Sequence, residues 1–172
     1  MKYAHVERER RYIPLGSIGE IFPIRNLLIQ DRYLDESTLR LRRIEEEDKS
    51  IVFKLGQKIR VGEDRPLRIA HTTMYLSESE FELLIALPAK VLEKRRSIFP
   101  LGELHFAVDE FEGELAGLLL VEVDLGTEGA THPALPFEKL IEVTLDERFT
   151  GGALASTSSE DLRLLLTEYG VN

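Results

Sequence analysis

His5-Val6-Glu7-Arg8-Glu9-Arg10-Arg11-Tyr12-Ile13 is the stretch on which the reading of the fold turns. Side chains alternate across a β-strand with a period of two, so Glu7, Glu9 and Arg11 share one face of a strand written through it. Two carboxylates about 7 Å apart along a strand, with a guanidinium next in line, suit a divalent cation beside an anion. A solvated charged face is the plainer reading of the stretch alone. Later segments decide between the two, because they repeat the pattern.

The chain has 172 residues, 43% of them apolar and 31% charged. That is the size and composition of one globular domain over residues 1–172 with a charged surface. A net charge of −9 supplies no field to attract a nucleic-acid backbone. It leaves room for a local cluster of Arg and Lys around a small polyanion. With no cysteine, disulfides and thiolate metal sites are excluded, and any metal is expected to be a hard cation on oxygen ligands. No apolar signal core opens the chain, and no apolar run reaches the ~20 residues of a membrane helix. The expectation is a cytoplasmic protein with no membrane partner.

Outward from the opening strand, Pro14-Leu15-Gly16 reads as a break, and residues 18–30 as a short helical or irregular connection. Gln30 to Leu34, Thr38 to Ile44 and Ser50 to Gly56 read as strands joined by a turn at Asp35-Glu36-Ser37 and a polar tip at Glu45 to Lys49. Residues 58–66 read as a charged loop closed by Pro66, and Leu67 to Leu76 as a strand. Ser77 with Glu80 forms a capping-box signature for a helix that Pro88 stops. Val91 to Phe99, Glu103 to Glu110, Leu118 to Leu125 and Leu140 to Leu145 supply further strands, with a loop at Pro133 and Pro136. Residues 158–169 close the chain as an amphipathic helix, Leu162, Leu165, Leu166 and Tyr169 on its apolar side.

About eight strands with few helices result. The charged faces gather Arg11, Arg40, Arg42, Lys54, Lys94 and Arg96, and also Glu7, Glu9, Asp109, Glu122 and Asp124. Either set stacked alone in a closed lumen repels itself and carries a desolvation cost. Both together suit a metal-bound polyanion: cations on phosphoryl oxygens, carboxylates on Mg²⁺ or Mn²⁺. A barrel with a polar interior needs its apolar outside covered, which the two helices can do.

These residues resemble the CYTH, or triphosphate tunnel metalloenzyme, family. Glu7-Arg8-Glu9-Arg10-Arg11-Tyr12-Ile13 is similar to its E-x-E-x-K opening, with Arg11 for lysine. Gln30 to Leu34 resembles Q-G-Y-L, Arg40-Leu41-Arg42 R-x-R, and Lys54 before Gly56 T-x-K-G, with Val52 for threonine. Lys94-Arg95-Arg96 is similar to K-x-R, and Asp109 to Gly113 to D-x-F-x-G. Gly117-Leu118 with Glu122-Val123-Asp124 resembles G-L…E-x-E, and Glu142-Val143-Thr144 matches E-V-T. The ordered matches span residues 5–154.

The resemblance implies an α+β, mainly β fold: an eight-stranded antiparallel closed barrel, or tunnel, with flanking helices. It also implies a small-molecule polyanion as substrate, inorganic tripolyphosphate or a nucleoside triphosphate, with Mg²⁺ or Mn²⁺ as cofactor, and leaves homodimerisation open. Carried over by position, Glu7, Glu9, Glu122, Asp124 and Asp109 hold metal; Arg11, Arg40, Arg42, Lys54, Lys94 and Arg96 grip phosphate; Tyr33 with Lys54 activates water. Absence of Trp, with 5 Tyr and 8 Phe, gives few platforms for a base or a thiamine ring, which favours inorganic tripolyphosphate. Adenylate cyclisation is the alternative within enzymes. The family's R-x-E-x-E strand is read onto Arg68 to Thr72, placing Ala70 and Thr72 where carboxylates are usual. That departure motivates a different class, a phosphate-binding module without turnover.

Overall fold

The opening stretch forms the start of a long strand, β1 (His5–Ile18), which runs through the expected break. Residue Arg8 offers its carbonyl towards Leu125, and Arg11 towards Val143, so successive residues of β1 serve opposite neighbours. Pairing with the neighbour that even-numbered residues serve stops at Tyr12. Pro14 therefore lacks its N–H on a side where no strand needs it. The irregularity falls later, between Leu15 and Ile18, where Gly16 takes φ +81° and bulges the strand.

The computed structural model describes residues 5–60, 68–126 and 134–171, with the description limited to the backbone at residues 5–7, 60 and 68. The loops expected around Pro66 and at Pro133 lie outside the described residues. After β1 come β2 (Arg25–Leu34), β3 (Leu39–Glu46), β4 (Ile51–Arg60), β5 (Arg68–Leu76), α1 (Glu78–Ile85), β6 (Ala89–Leu101), β7 (Leu104–Phe111), β8 (Leu119–Asp124), β9 (Phe137–Glu142), α2 (Gly151–Leu154) and α3 (Ser159–Glu168). Short 3₁₀ turns at Gly113–Leu115 and Glu147–Phe149 precede β8 and α2. The capping box is present as read: Ser77 Oγ accepts from the Glu80 N–H at 3.3 Å, and Glu80 Oε2 from the Ser77 N–H at 2.7 Å.

All pairings are antiparallel, in the order β5-β4-β3-β2-β6-β7-β8-β1-β9, with β5 also paired to β1 from His5 opposite His71 to Arg8 opposite Arg68. One edge of β1 lies on β8, and the other passes from β5 to β9 along its length. The mainly β, antiparallel architecture is as expected, but the sheet has nine strands rather than eight. The connection expected over 18–30 is also revised, because β2 begins at Arg25. Its Leu27 and Ile29 share one side with Asp31 and Tyr33, alternating with Leu28 and Gln30, and β3 pairs with it from Leu27 to Tyr33 and β6 along its whole length. Leu27 and Leu28 fall on opposite sides of the strand, Leu27 buried and Ile24 and Leu28 exposed, so their helix-like spacing marks no single apolar face.

Two apolar clusters back the sheet. Tyr12, Phe99, Phe106, Val121 and Val123 pack under Leu135 and Phe137, while Phe81 of α1 meets Phe53 at 4.4 Å between ring centres. The opposite side, expected to be charged throughout, is not. Leu27, Ile29 and Ile44 cluster there with Val52 and Ile98. By alternation these share the side of Asp31, Arg42, Lys54 and Arg96. Further along, Ile13, Leu92, Phe111 and Leu120 bury Phe149 and Leu154 from the C-terminal segment. Burying such side chains stabilises by about 1.5–3 kcal/mol each, so this segment is anchored against the sheet. The charged surface is thereby confined to one region between two apolar ones.

Candidate anion-binding site

That region holds a cavity of about 370 Å³ whose wall draws on seven strands. Strand β1 contributes Glu9 and Arg11, β2 Tyr33, β3 Arg40 and Arg42, β4 Gly56 and Lys58, β5 Ile69, β6 Lys94 and Arg96, and β8 Glu122. Ser37 and Thr38 from a turn, and Thr150, Gly151 and Gly152 from the start of α2, complete it. Alternation explains much of the gathering, since Glu9 and Arg11, Arg40 and Arg42, and Lys94 and Arg96 are each two residues apart on one strand. Gly151 is required by close approach: a Cβ there would lie 1.9 Å from the Tyr33 hydroxyl.

Behind the wall, two buried carboxylates hold the cations in place. Asp31, fully buried, receives Arg42 through Nε at 2.5 Å and Nη2 at 2.6 Å, with Arg40 at 3.6 Å. Burial pushes its carboxyl up, yet the charge and hydrogen bonds of Arg42, joined by Arg40 and Lys94, outweigh this and bring it down to about 2. Asp109, also fully buried, receives Arg96 through Nε and Nη2, both at 2.6 Å, and Lys94 as well. In the wall itself, Glu122 accepts from Arg11 Nε at 3.0 Å and from Arg96. Burial raises its carboxyl, but Arg96, Lys94, Arg11 and Lys58 hold it well below the ordinary glutamate range. Glu9 accepts from Lys58 at 2.9 Å and Arg11 at 3.4 Å. Basic side chains in the wall outnumber acidic ones six to two.

No family model matches the chain, and no curated protein does. Solved structures do. The inorganic triphosphatase NE1496 superposes with a TM-score of 0.52 at 26% identity, covering 88% of this chain and 95% of that one. A structure described as the hypothetical protein NE1496 gives 0.54 at 26%, covering 88% and 99%. A conserved hypothetical protein from Pyrococcus furiosus shares the fold, at 0.50, 12% identity, and 95% and 91% coverage. The chain has the CYTH fold. No helix among the described residues is long and apolar enough to cross a membrane.

Within this CYTH fold, Arg11, Arg40, Arg42, Lys94, Arg96, Glu9, Glu122 and Tyr33 come together in the cavity wall. Other expected residues lie elsewhere. Lys54 holds its ammonium 4.9 Å from the centre of the Tyr75 ring, outside the wall, so the suggested Tyr33–Lys54 couple is not assembled. The Tyr33 phenol is raised by burial and by Asp31, with Arg40 opposing, which keeps it protonated near neutral pH. Asp109 lies beneath Lys94 and Arg96 rather than in the wall. Asp124 is exposed, its Oδ1 accepting from the N–H groups of Arg8 at 3.1 Å and Gly126 at 2.9 Å. The Glu7 side chain lies outside the described residues.

The fifth strand needs a correction. Ala70 is buried and by alternation faces away from the cavity with Thr72, whereas Ile69 lines it. Its companions on that side are His71 and Thr73, so the cavity side of β5 carries these and not Ala70 and Thr72, the positions at which the resemblance expects carboxylates. Sequence reading also missed Asp31, Lys58 and the Thr150 to Gly152 turn. Lys58 is four residues beyond Lys54, a signal lost by ending that strand at Gly56. Asp31 is two before Tyr33 and shared its predicted strand.

Among the described residues, no three acidic or histidine side chains converge as a metal cluster. Glu9 and Glu122 each already meet two cations. These donors do not fit a preformed divalent centre.

Proposed function

We propose that this protein binds a triphosphate, inorganic tripolyphosphate foremost, in the cationic cavity and hydrolyses it. The observation that carries this reading is the convergence of Arg11, Arg40, Arg42, Lys58, Lys94 and Arg96 on one small cavity. Guanidinium forks match phosphoryl oxygens in pairs, and a planar fork at position 11 replaces the point charge of a lysine. Fixed cations around the transferred group neutralise the charge that develops as an anhydride bond breaks. The likeness to a protein described as an inorganic triphosphatase supports the same class of substrate. We further propose that β1-β5-β4-β3-β2-β6-β7-β8 encloses the site as a tunnel, with the short β1–β5 pairing joining its ends. Mg²⁺ or Mn²⁺ enters as part of the chelated substrate and faces the carboxylates of β1 and β8: Glu7, Glu9, Glu122 and Asp124.

A second reading, binding without turnover, is favoured by the His71 and Thr73 positions, which offer no carboxylate on the fifth strand. One assay separates them. Purified protein is incubated with tripolyphosphate, ATP or thiamine triphosphate and Mg²⁺ or Mn²⁺, and phosphate, pyrophosphate and cyclic AMP are followed. Phosphate release from tripolyphosphate is the expected result. Calorimetric binding without any product would replace hydrolysis by the module reading, and cyclic AMP from ATP would replace it by cyclisation. In the same assay Glu9→Gln, which removes the charge meeting Lys58 and Arg11, should cut turnover at least about tenfold while circular dichroism stays unchanged. Unaltered turnover in that variant would remove Glu9 from the site chemistry.

A further inference from the structure

Gly56 is the one position in the cavity wall contributed by a residue without a side chain on a straight, fully paired strand. In register, Arg40 of β3 stands opposite it on one side and Thr73 of β5 on the other, with Lys58 opposite His71 two pairs along. A Cβ built on Gly56 would meet His71 Nε2 at 3.5 Å, Arg40 Nη2 at 3.7 Å and the Thr72 carbonyl oxygen at 3.7 Å. The missing methyl leaves a notch, with an imidazole on one flank and a guanidinium on the other. His71 Nε2 also lies 3.0 Å from Thr73 Oγ1, a contact that fixes the ring beside the notch.

We infer that this notch at Gly56 is a phosphoryl-oxygen subsite of the site proposed above, with the Thr73 hydroxyl the donor to the oxygen and His71 the residue that positions it. Without a Cβ, an anionic oxygen can approach the β4 backbone itself and accept from Arg40. With Nε2–H donating to the Thr73 hydroxyl, that hydroxyl turns its own proton towards the oxygen. The couple thus supplies a neutral donor beside the wall residue Gly56, where a carboxylate would repel the anion. Strand β5 serves the ligand directly here, in place of holding a cation for it.

The inference rests on the anion reading of the cavity, and titration calorimetry with tripolyphosphate in chelator buffer separates the two. Wild-type protein should bind, and His71→Ala should bind about tenfold more weakly, the scale of one lost hydrogen bond to a charged group. Gly56→Ala is the more telling variant. Its new methyl meets only ordinary contact distances, and alanine is easier than glycine to hold in a strand, so its melting temperature should not fall. It should nevertheless lose about tenfold in affinity, because the methyl occupies the notch. If wild-type protein binds and either variant binds equally well, the subsite is wrong and the cavity reading stands. If wild-type protein shows no binding, the cavity reading and the subsite fail together.

Discussion

Asp109→Ala should cost about 3–5 kcal/mol of folding stability, the usual loss when one partner of a buried ion pair is removed. Asp109 is 0% exposed, and its oxygens receive two bonds from Arg96 and one from Lys94, itself only 8% exposed. Removing the carboxylate leaves both cations buried without their main counter-charge. Lys94 is already lowered by burial and by Arg96, against the support of Asp109 and Glu122; without Asp109 it moves further towards the neutral amine. A domain stable by about 5–15 kcal/mol would keep its fold narrowly, if at all. Urea unfolding of the wild type, Asp109→Ala and Asp109→Asn checks this, with the isosteric asparagine losing less because it still accepts hydrogen bonds. A loss below about 1 kcal/mol, the scale of an exposed pair, would mean that the carboxylate does not anchor Lys94 and Arg96. The metal-ligand role suggested by sequence position would then be the better account.

Asp109 also shows where the sequence was legible and where it was not. Alternation identified which residues share a side of each strand, and that alone assembled Arg11, Arg40, Arg42, Lys94, Arg96, Glu9 and Glu122. It does not say how far along the sheet each residue lies, or whether a carboxylate faces a ligand or a neighbouring cation. Those are properties of register between strands distant in sequence, such as Arg96 opposite Asp109 and Arg11 opposite Glu122. Strand limits were the other weakness. Ending β4 at Gly56 hid Lys58, and matching β5 one residue out of phase exchanged Ala70 and Thr72 for the cavity-side His71 and Thr73, since a one-residue slip inverts every side chain. The apolar residues on the cavity side, Leu27, Ile29, Ile44 and Val52, were readable by the same alternation. Attention to charge passed over them. The Thr150 to Gly152 turn carried no motif, and only the packing of Phe149 and Leu154 places it in the wall.

Acid should destabilise the protein through the same network, over a window that Asp31 defines. Its folded value of about 2 lies below the ordinary 3.8, so the folded state holds the proton more weakly than the unfolded chain. The stabilisation is therefore complete above about pH 5 and disappears as pH falls from there through 2. At about 1.4 kcal/mol per pH unit between the two values, Asp31 contributes about 2 kcal/mol, undiminished by solvent because the group is buried. Glu122, also lowered, adds to the loss with the same sign. Denaturant unfolding from pH 7 to pH 2 should show the decline, and Asp31→Asn should show a lower plateau with a flatter slope below pH 5. A variant profile parallel to the wild type would place the acid sensitivity elsewhere. Tripolyphosphate adds a further discriminating arm. At pH 4 the unfolded chain already takes up protons, while folded Asp31, at about 2, stays ionised and Glu122 is held well below the ordinary range, so the fold weakens there while the cavity keeps its guanidinium charges. An anion bound there should restore stability at pH 4 as well as at pH 7, through the linkage of binding to folding. A nonspecific salt effect on exposed pairs should instead fade towards pH 4, as their carboxylates are neutralised.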